Sequence, residues 1–137
     1  TNTFTDKGLS KGKTYYYKVA SYVNSDGKQA VSAYTSVVAV KAAAPAPAQV
    51  SATKAKSGAA KITWSKSTGA SGYEVYMATS ANGKYTKART INKSATVTYT
   101  KSGLKSGKTY FFKVRAYTTV SGKKVYSDYT RTVKVKV

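Results

Sequence analysis

Only four side chains in this sequence carry a carboxylate: Asp6, Asp26, Glu74 and Asp128. They fall in separate segments, and the strand pattern set out below puts none beside another, as a paired acid and base would require. Histidine is absent, which removes the usual general base near neutral pH and the commonest zinc ligand. Cysteine is absent too, and with it thiolate nucleophiles, disulfides and sulfur metal sites. No phosphate-cradling glycine loop occurs, and the acids are too scattered for a calcium loop. No catalytic, cofactor-binding or metal-ligating residue is therefore assigned, and the chain reads as a non-enzyme. A catalytic domain elsewhere in a longer protein would leave no trace here.

The remaining chemistry is that of cations and aromatic rings. Lysine and arginine number 24 against four acids, a net charge of +20. Such a surface attracts polyanions: teichoic acids, nucleic acids, anionic glycans or lipid headgroups. The cations are dispersed, however, with Lys123–Lys124 the only adjacent pair. Dispersed lysine also keeps β-strand surfaces soluble and blunts their edges. Six residues could form a site if one sheet face collects them: Tyr76, Phe111, Lys113, Arg115, Tyr117 and Lys134, with Lys136 alongside. Rings beside cations suit sugar rings, single-stranded nucleic acid or anionic polymers. The plainer reading is cross-strand pairing, worth roughly 0.2–1 kcal/mol per pair. Both readings stay open at this point. Asn92-Lys93-Ser94 fits the short glycosylation pattern, which is common by chance.

Which face these residues share depends on the elements that carry them, and an internal repeat organises those elements. GLSKGKTYYYKV (Gly8–Val19) recurs as GLKSGKTYFFKV (Gly103–Val114). The match runs without a gap from Thr1 on Thr96 to Ala42 on Val137, with about half the pairs identical. Residues 1–42 thus equal the C-terminal half of the unit ending at Val137. Between them lies AAAPAPA (Ala42–Ala48), and alternating proline favours an extended, semi-rigid connector. The expected organisation is a half-unit over 1–42 comprising the last three strands, a linker over 43–48, and a complete unit over 49–137. Thr1 opens neither a leader nor a complete unit, so the chain reads as a piece of something longer.

Hydrophobic content of 41% supports a packed core, and no apolar run approaches the roughly 20 residues of a membrane span. No helical period appears. Short alternating segments predict strands at Val50–Lys54, Ala60–Ser65, Tyr73–Ala78, Tyr85–Ile91, Thr96–Thr100, Thr109–Thr118 and Thr130–Val137. Ser57-Gly58, Asn82-Gly83 and Ser121-Gly122 mark turns, with Asp26-Gly27 at the matching place in the half-unit. In the sixth segment Tyr110, Phe112, Val114 and Ala116 alternate against Phe111, Lys113, Arg115 and Tyr117. The expected fold is all-β: a seven-stranded Greek-key sandwich preceded by half of a second one. Trp64 and Tyr110 fall on inward positions and read as core rather than as ligand stackers.

Trp64, the run Tyr73-Glu74-Val75, and the series Leu104, Gly107, Tyr110, Val114 and Ala116 together resemble the fibronectin type III module. The resemblance implies a tyrosine corner at Leu104, Gly107 and Tyr110, in which the tyrosine hydroxyl bonds back to the preceding loop. Leu9, Gly12 and Tyr15 repeat that motif in the half-unit. An immunoglobulin domain would show cysteines flanking the tryptophan, and this chain has none. No Arg-Gly-Asp occurs, so integrin-type adhesion does not carry over. The Lys/Thr/Tyr-rich, cysteine-free, Ala/Pro-joined character is similar to tandem modules of secreted or surface proteins of Gram-positive bacteria. The resemblance implies an extracellular spacer or interaction module whose partners are neighbouring modules of the same protein. A binding module for an anionic cell-wall polymer or polysaccharide is the alternative. The half-unit's inward residues, Phe4, Leu9, Tyr15, Tyr17, Val19, Val38 and Val40, need a cover. It is expected from the missing half or from a second copy of this chain about a two-fold axis.

Overall fold

The computed structural model describes residues 2–137. These contain twelve strands: β1 Thr14–Tyr17, β2 Tyr22–Ser25, β3 Lys28–Val31, β4 Val38–Lys41, β5 Ser51–Lys56, β6 Ala59–Thr63, β7 Gly72–Ala78, β8 Thr86–Ile91, β9 Thr98–Lys101, β10 Thr109–Val120, β11 Lys123–Tyr129 and β12 Val133–Lys136. No helix occurs among the described residues.

From β5 onward the strands form a sandwich of two antiparallel sheets. The smaller has the order β5-β6-β9. The larger has the order β8-β7-β10, with β11 and β12 both paired to β10. The chain switches sheets after β6, β8 and β9, which is the Greek-key crossing. Sequence alternation fixes which side faces in. Along β10, Tyr110, Phe112, Val114 and Ala116 are buried, and they meet Ile62, Trp64, Tyr73 and Val75 in one core. Trp64 stands edge-on to Tyr73 with ring centroids 5.4 Å apart, a favoured aromatic geometry.

The last strand differs from the sequence expectation. Lys123–Tyr129 forms β11, and the segment predicted over Thr130–Val137 shrinks to β12. The two pair with β10 one after the other, Val120↔Lys123 to Arg115↔Tyr129 and then Phe112↔Val133 to Thr109↔Lys136. They share the place of one broken strand. The break is held by Thr130, whose hydroxyl accepts the Val114 N–H at 3.0 Å while its own N–H donates to the Val114 carbonyl at 2.8 Å. Asn82-Gly83 is also not a two-residue hairpin turn. Residues 79–85 separate β7 from β8, with the Gly83 N–H donating to the Ser80 carbonyl.

Tyr110 closes the corner between the sheets. Its hydroxyl accepts the Lys105 N–H at 3.0 Å, and buried Leu104 donates its N–H to the Gly58 carbonyl at 3.0 Å. Gly107 holds φ +76°, a conformation that suits glycine. In residues 2–42 the same corner recurs: Tyr15 accepts the Ser10 N–H at 2.7 Å, and Gly12 holds φ +80°.

That first segment carries four short strands rather than three, in two ladders, β1 with β4 and β2 with β3. Residues 3–6, which match β9, form no strand, because β9 is held by β6 and the segment has no counterpart of β6. Likewise β1 and β2 stay separate where β10 runs unbroken, since β7 lies along β10 from Phe111 to Tyr117. Phe4 is 83% exposed, and Val19, Val38 and Val40 are exposed. The connector is part of the sandwich. Ala44 and Val50 are buried in its core, and Pro47 is buried with them.

Candidate functional site: the outward face of the larger sheet

β7, β8, β10 and β11 bring the candidate side chains together on the face turned away from the core. Lys113 and Arg115 lie opposite Tyr76 and Glu74 across β10 and β7. Tyr117 lies opposite Gly72, and β11 carries Lys124, Tyr126 and Tyr129 over the same surface.

Glu74 organises this face, although sequence alternation assigned it no role. Its side chain is 1% exposed. Arg115 donates to Oε2 through Nη2 at 2.8 Å and Nε at 3.2 Å. The Tyr76 hydroxyl donates to the same oxygen at 2.8 Å. Lys87 Nζ reaches Oε1 at 3.2 Å, the Tyr126 hydroxyl at 3.3 Å, and Lys124 Nζ stands 3.8 Å away. Burial alone would raise the Glu74 carboxyl, but the hydrogen bonds from Arg115, Tyr76 and Lys87 outweigh it and hold the group at about 2. Burial and the neighbouring carboxylate raise the Tyr76 phenol, and burial and Glu74 also raise Tyr117. These groups therefore keep fixed charges over the physiological range, and none is poised as a proton-transfer residue near neutral pH.

Rings and cations alternate above the carboxylate. Lys113 Nζ lies between the Tyr85 and Tyr129 rings, 4.2 and 4.1 Å from their centroids. The Arg115 guanidinium lies 3.6 Å from the Tyr126 centroid, and Lys124 Nζ 4.0 Å from that of Tyr117. Tyr76 and Tyr129 meet edge to face at 5.2 Å. Each stacked cation gains about 0.5–1 kcal/mol or more, so the layer stiffens the sheet.

Three of the six candidate residues are not free for a ligand. Arg115 and the Tyr76 hydroxyl are both bonded to Glu74. Tyr117 does not project outward into solvent: it is 3% exposed, beneath Tyr126 and Lys124, with its hydroxyl 2.6 Å from Asn92 Oδ1. Glycine at position 72 makes this possible, because a Cβ there would stand 2.6 Å from the Tyr117 hydroxyl and 2.1 Å from the Ile91 carbonyl oxygen. Tyr76 and Phe111 are half-buried, Lys113 is half-buried between its rings, and Lys134 is exposed at the β12 edge. Phe111 and Lys134 border a shallow hollow of about 450 Å³ with Arg131. A hollow of about 620 Å³ lies away from this face, over Met77, Leu104 and Tyr110 with Lys101, Lys105 and Lys108 around it. Among the described residues, no group of three His, Cys, Asp or Glu stands close enough to hold a metal ion. No helix among the described residues is long and apolar enough to cross a membrane.

The half-unit repeats one piece of this face. Lys18 Nζ lies 4.0 Å from the Tyr34 centroid, matching Lys113 on Tyr129. It has Ala20 where the complete unit has Arg115, so the ion cluster is not repeated.

The fibronectin type III domain model matches residues 45–133, well over half the chain, and the chain belongs to the fibronectin type III family. No curated protein matches it. Among solved structures, a fibronectin-type-III-like protein from Clostridium thermocellum is 27% identical, with a TM-score of 0.57 over 66% of this chain and 90% of that one. The FN1-FN3 domains of chicken CNTN1 align over 96% of this chain and 45% of theirs, at 18% identity and a TM-score of 0.60. A beta-1,2-glucanase from Parabacteroides distasonis aligns over 82% of this chain but only 16% of its own length, at 20% identity and a TM-score of 0.56. The last two show the shared fold alone.

Proposed function

We propose that this chain is a non-catalytic spacer and interaction module of a larger secreted or cell-surface protein, setting the distance and orientation of other domains. One observation carries the reading. The richest chemistry on the surface is spent internally, with Arg115, Tyr76 and Lys87 all closed onto Glu74. A face satisfied in this way makes a rigid sheet rather than a receptive site. The likeness to a fibronectin-type-III-like protein from Clostridium thermocellum supports a bacterial source. The 96% alignment onto the FN1-FN3 domains supports reading residues 2–42 as part of a preceding module.

A second reading, polyanion binding, is favoured by Lys113, whose ammonium stands between two rings and forms no ion pair with a carboxylate among the described residues. One experiment separates the two. The chain is applied to an array of anionic and neutral polysaccharides, teichoic acids and nucleic acids at low and physiological salt. For a spacer, any binding is non-specific and fades steeply as salt rises. Reversing Lys113 and Lys134 to Glu then weakens it no more than reversing Lys54 and Lys61 on the other sheet. Saturable binding that survives physiological salt and is lost only in the Lys113/Lys134 variant would replace the spacer by a polymer-binding module.

A further inference from the structure

Gly12 and Gly69 meet backbone to backbone across the junction between the half-unit and the sandwich. A Cβ on Gly69 would stand 3.1 Å from the Gly12 Cα, and one on Gly12 would stand 3.1 Å from the Thr68 carbonyl oxygen. A side chain at either position would need the facing backbone to give by a few tenths of an ångström, and both glycines hold positive φ, +80° and +77°. The connector is tied down on both sides of this contact. The Gly12 N–H donates to the Ala43 carbonyl at 3.0 Å, and the Ala42 N–H donates to the Lys13 carbonyl at 2.9 Å. Beyond them the Ser67 hydroxyl donates to the Pro45 carbonyl, and Ala44 is fully buried. Lys11 Nζ lies 3.5 Å from the Asp128 carboxylate across the same junction. A tethered pair joined this closely is a fixed joint, not a flexible hinge.

The repeat carries the same loop to the far end of the sandwich, where Leu104–Lys108 matches Leu9–Lys13. Its ties to the end of the unit match those of the first loop in one bond and shift by one residue in the other, Val137 for Gly107 against Ala43 for Gly12. The Val137 N–H donates to the Lys108 carbonyl at 3.1 Å, as Ala42 does to Lys13, and the Gly107 N–H donates to the Val137 carbonyl. Gly107 holds φ +76°, and a Cβ there would meet nothing within 4 Å. The loop thus presents the bare glycine face that Gly12 uses, with nothing against it. Ser106 stands where Lys11 does, so an ion pair to an Asp128 equivalent is not repeated and the contact rests on backbone fit.

We infer that the Leu104–Lys108 loop is a docking surface for a further fibronectin type III module, received through a glycine turn like Thr68–Ala70. The inference rests on reading residues 2–42 as the second half of such a module. It makes the joint repeatable, so that successive modules stack in one orientation.

The absence of cysteine allows a clean test. The whole chain is extended after Val137 by a second copy of residues 43–137. Ser106→Cys in the original unit is paired with Asp128→Cys in the appended one, and a short bismaleimide is added. Lys11→Cys with Asp128→Cys in the unextended chain reports the existing joint. Both pairs should cross-link within one molecule at similar rates. Gly69→Val in the appended copy should slow the new cross-link about tenfold, as a fixed neighbour becomes one on a flexible tether. Tryptophan fluorescence checks that this variant folds. If it does not, lengthening the appended connector with Gly-Ser serves the same purpose. Cross-linking at Lys11 but not at Ser106 overturns the docking surface and leaves the half-module reading intact. Failure at both positions overturns the observed joint and the inference with it. Rates at Ser106 that ignore Gly69→Val and the longer connector mean a loose tether, and overturn it too.

Discussion

Glu74 and Arg115 stand opposite each other on β7 and β10 with 2.8 Å between carboxylate and guanidinium, and Glu74 is 1% exposed although it points away from the core. An ionised group buried on an outer face costs stability unless it is fully paired. Here three cations and two phenols supply the pairing.

This pairing predicts an acid-labile fold. The folded Glu74 carboxyl is held near 2 against 4.5 in its absence. A group with a depressed folded value stabilises fully above its unfolded value and loses that contribution as pH falls towards the folded one. The window is therefore pH 4.5 down to about 2, and the loss is roughly 3 kcal/mol at about 1.4 kcal/mol per pH unit. Urea unfolding followed from pH 7 to 2 should show it. Glu74→Gln should cost about 2–3 kcal/mol at pH 7, less than a fully enclosed pair because the lysines can turn to water. It should also flatten the acid limb, and an unchanged limb would assign the acid sensitivity to another group.

Gly72 predicts a position closed to any side chain. Alanine there would drive Cβ into the Ile91 carbonyl and the Tyr117 ring, a backbone clash costing roughly 3 kcal/mol. Gly103→Ala is the control: φ is +71° and the surroundings are open, so it should cost only about 1 kcal/mol. Thermal unfolding of the two variants should rank them in that order.

Trp64 is the single tryptophan and its buried Nε1 has no hydrogen-bond partner among the described residues. Its contribution is therefore packing. Trp64→Ala should cost about 3–5 kcal/mol, whereas Trp64→Phe, which keeps a ring against Tyr73 and loses no hydrogen bond, should cost under about 2 kcal/mol. Equal losses would mean that the indole N–H is bonded in solution.

The core was legible in the sequence because alternation assigns faces without knowing neighbours. Tyr73, Val75, Tyr110, Phe112 and Val114 needed only a period of two. The outer face was less legible because its chemistry depends on register. Nothing local to Glu74 announces Arg115, 41 residues away, and Tyr117 is hidden by a strand, β11, that alternation left unassigned. The usable signals were a lone acid inside an otherwise uncharged strand and a glycine, Gly72, at a strand start. The half-unit shows the same limit. Its local motifs repeat the complete unit, but β9 and the continuity of β10 come from strands outside the repeat.

The last prediction concerns Val19 and Val114, matched residues with the same local bonds and different surroundings. Each N–H donates to a threonine hydroxyl, Thr35 at 3.1 Å and Thr130 at 3.0 Å. Each carbonyl accepts the N–H of that same threonine at 2.8 Å. Val114 is fully buried, and Val19 is 65% exposed. If local hydrogen bonding governed stability, the two amides would exchange alike. If tertiary cover governs it, Val114 should exchange only through global unfolding and Val19 through local opening, orders of magnitude faster. Amide exchange by NMR distinguishes these outcomes directly. Placing a copy of residues 43–95 ahead of Thr1 would supply counterparts of β5 to β8 for the half-unit. Protection at Val19 should then rise towards that of Val114, and exposed Phe4 should become buried as its match Tyr99 is partly buried. Full protection of Val19 in the unextended chain, at concentrations where light scattering reports a monomer, would show that two short ladders are stable alone and that residues 2–42 need no second half.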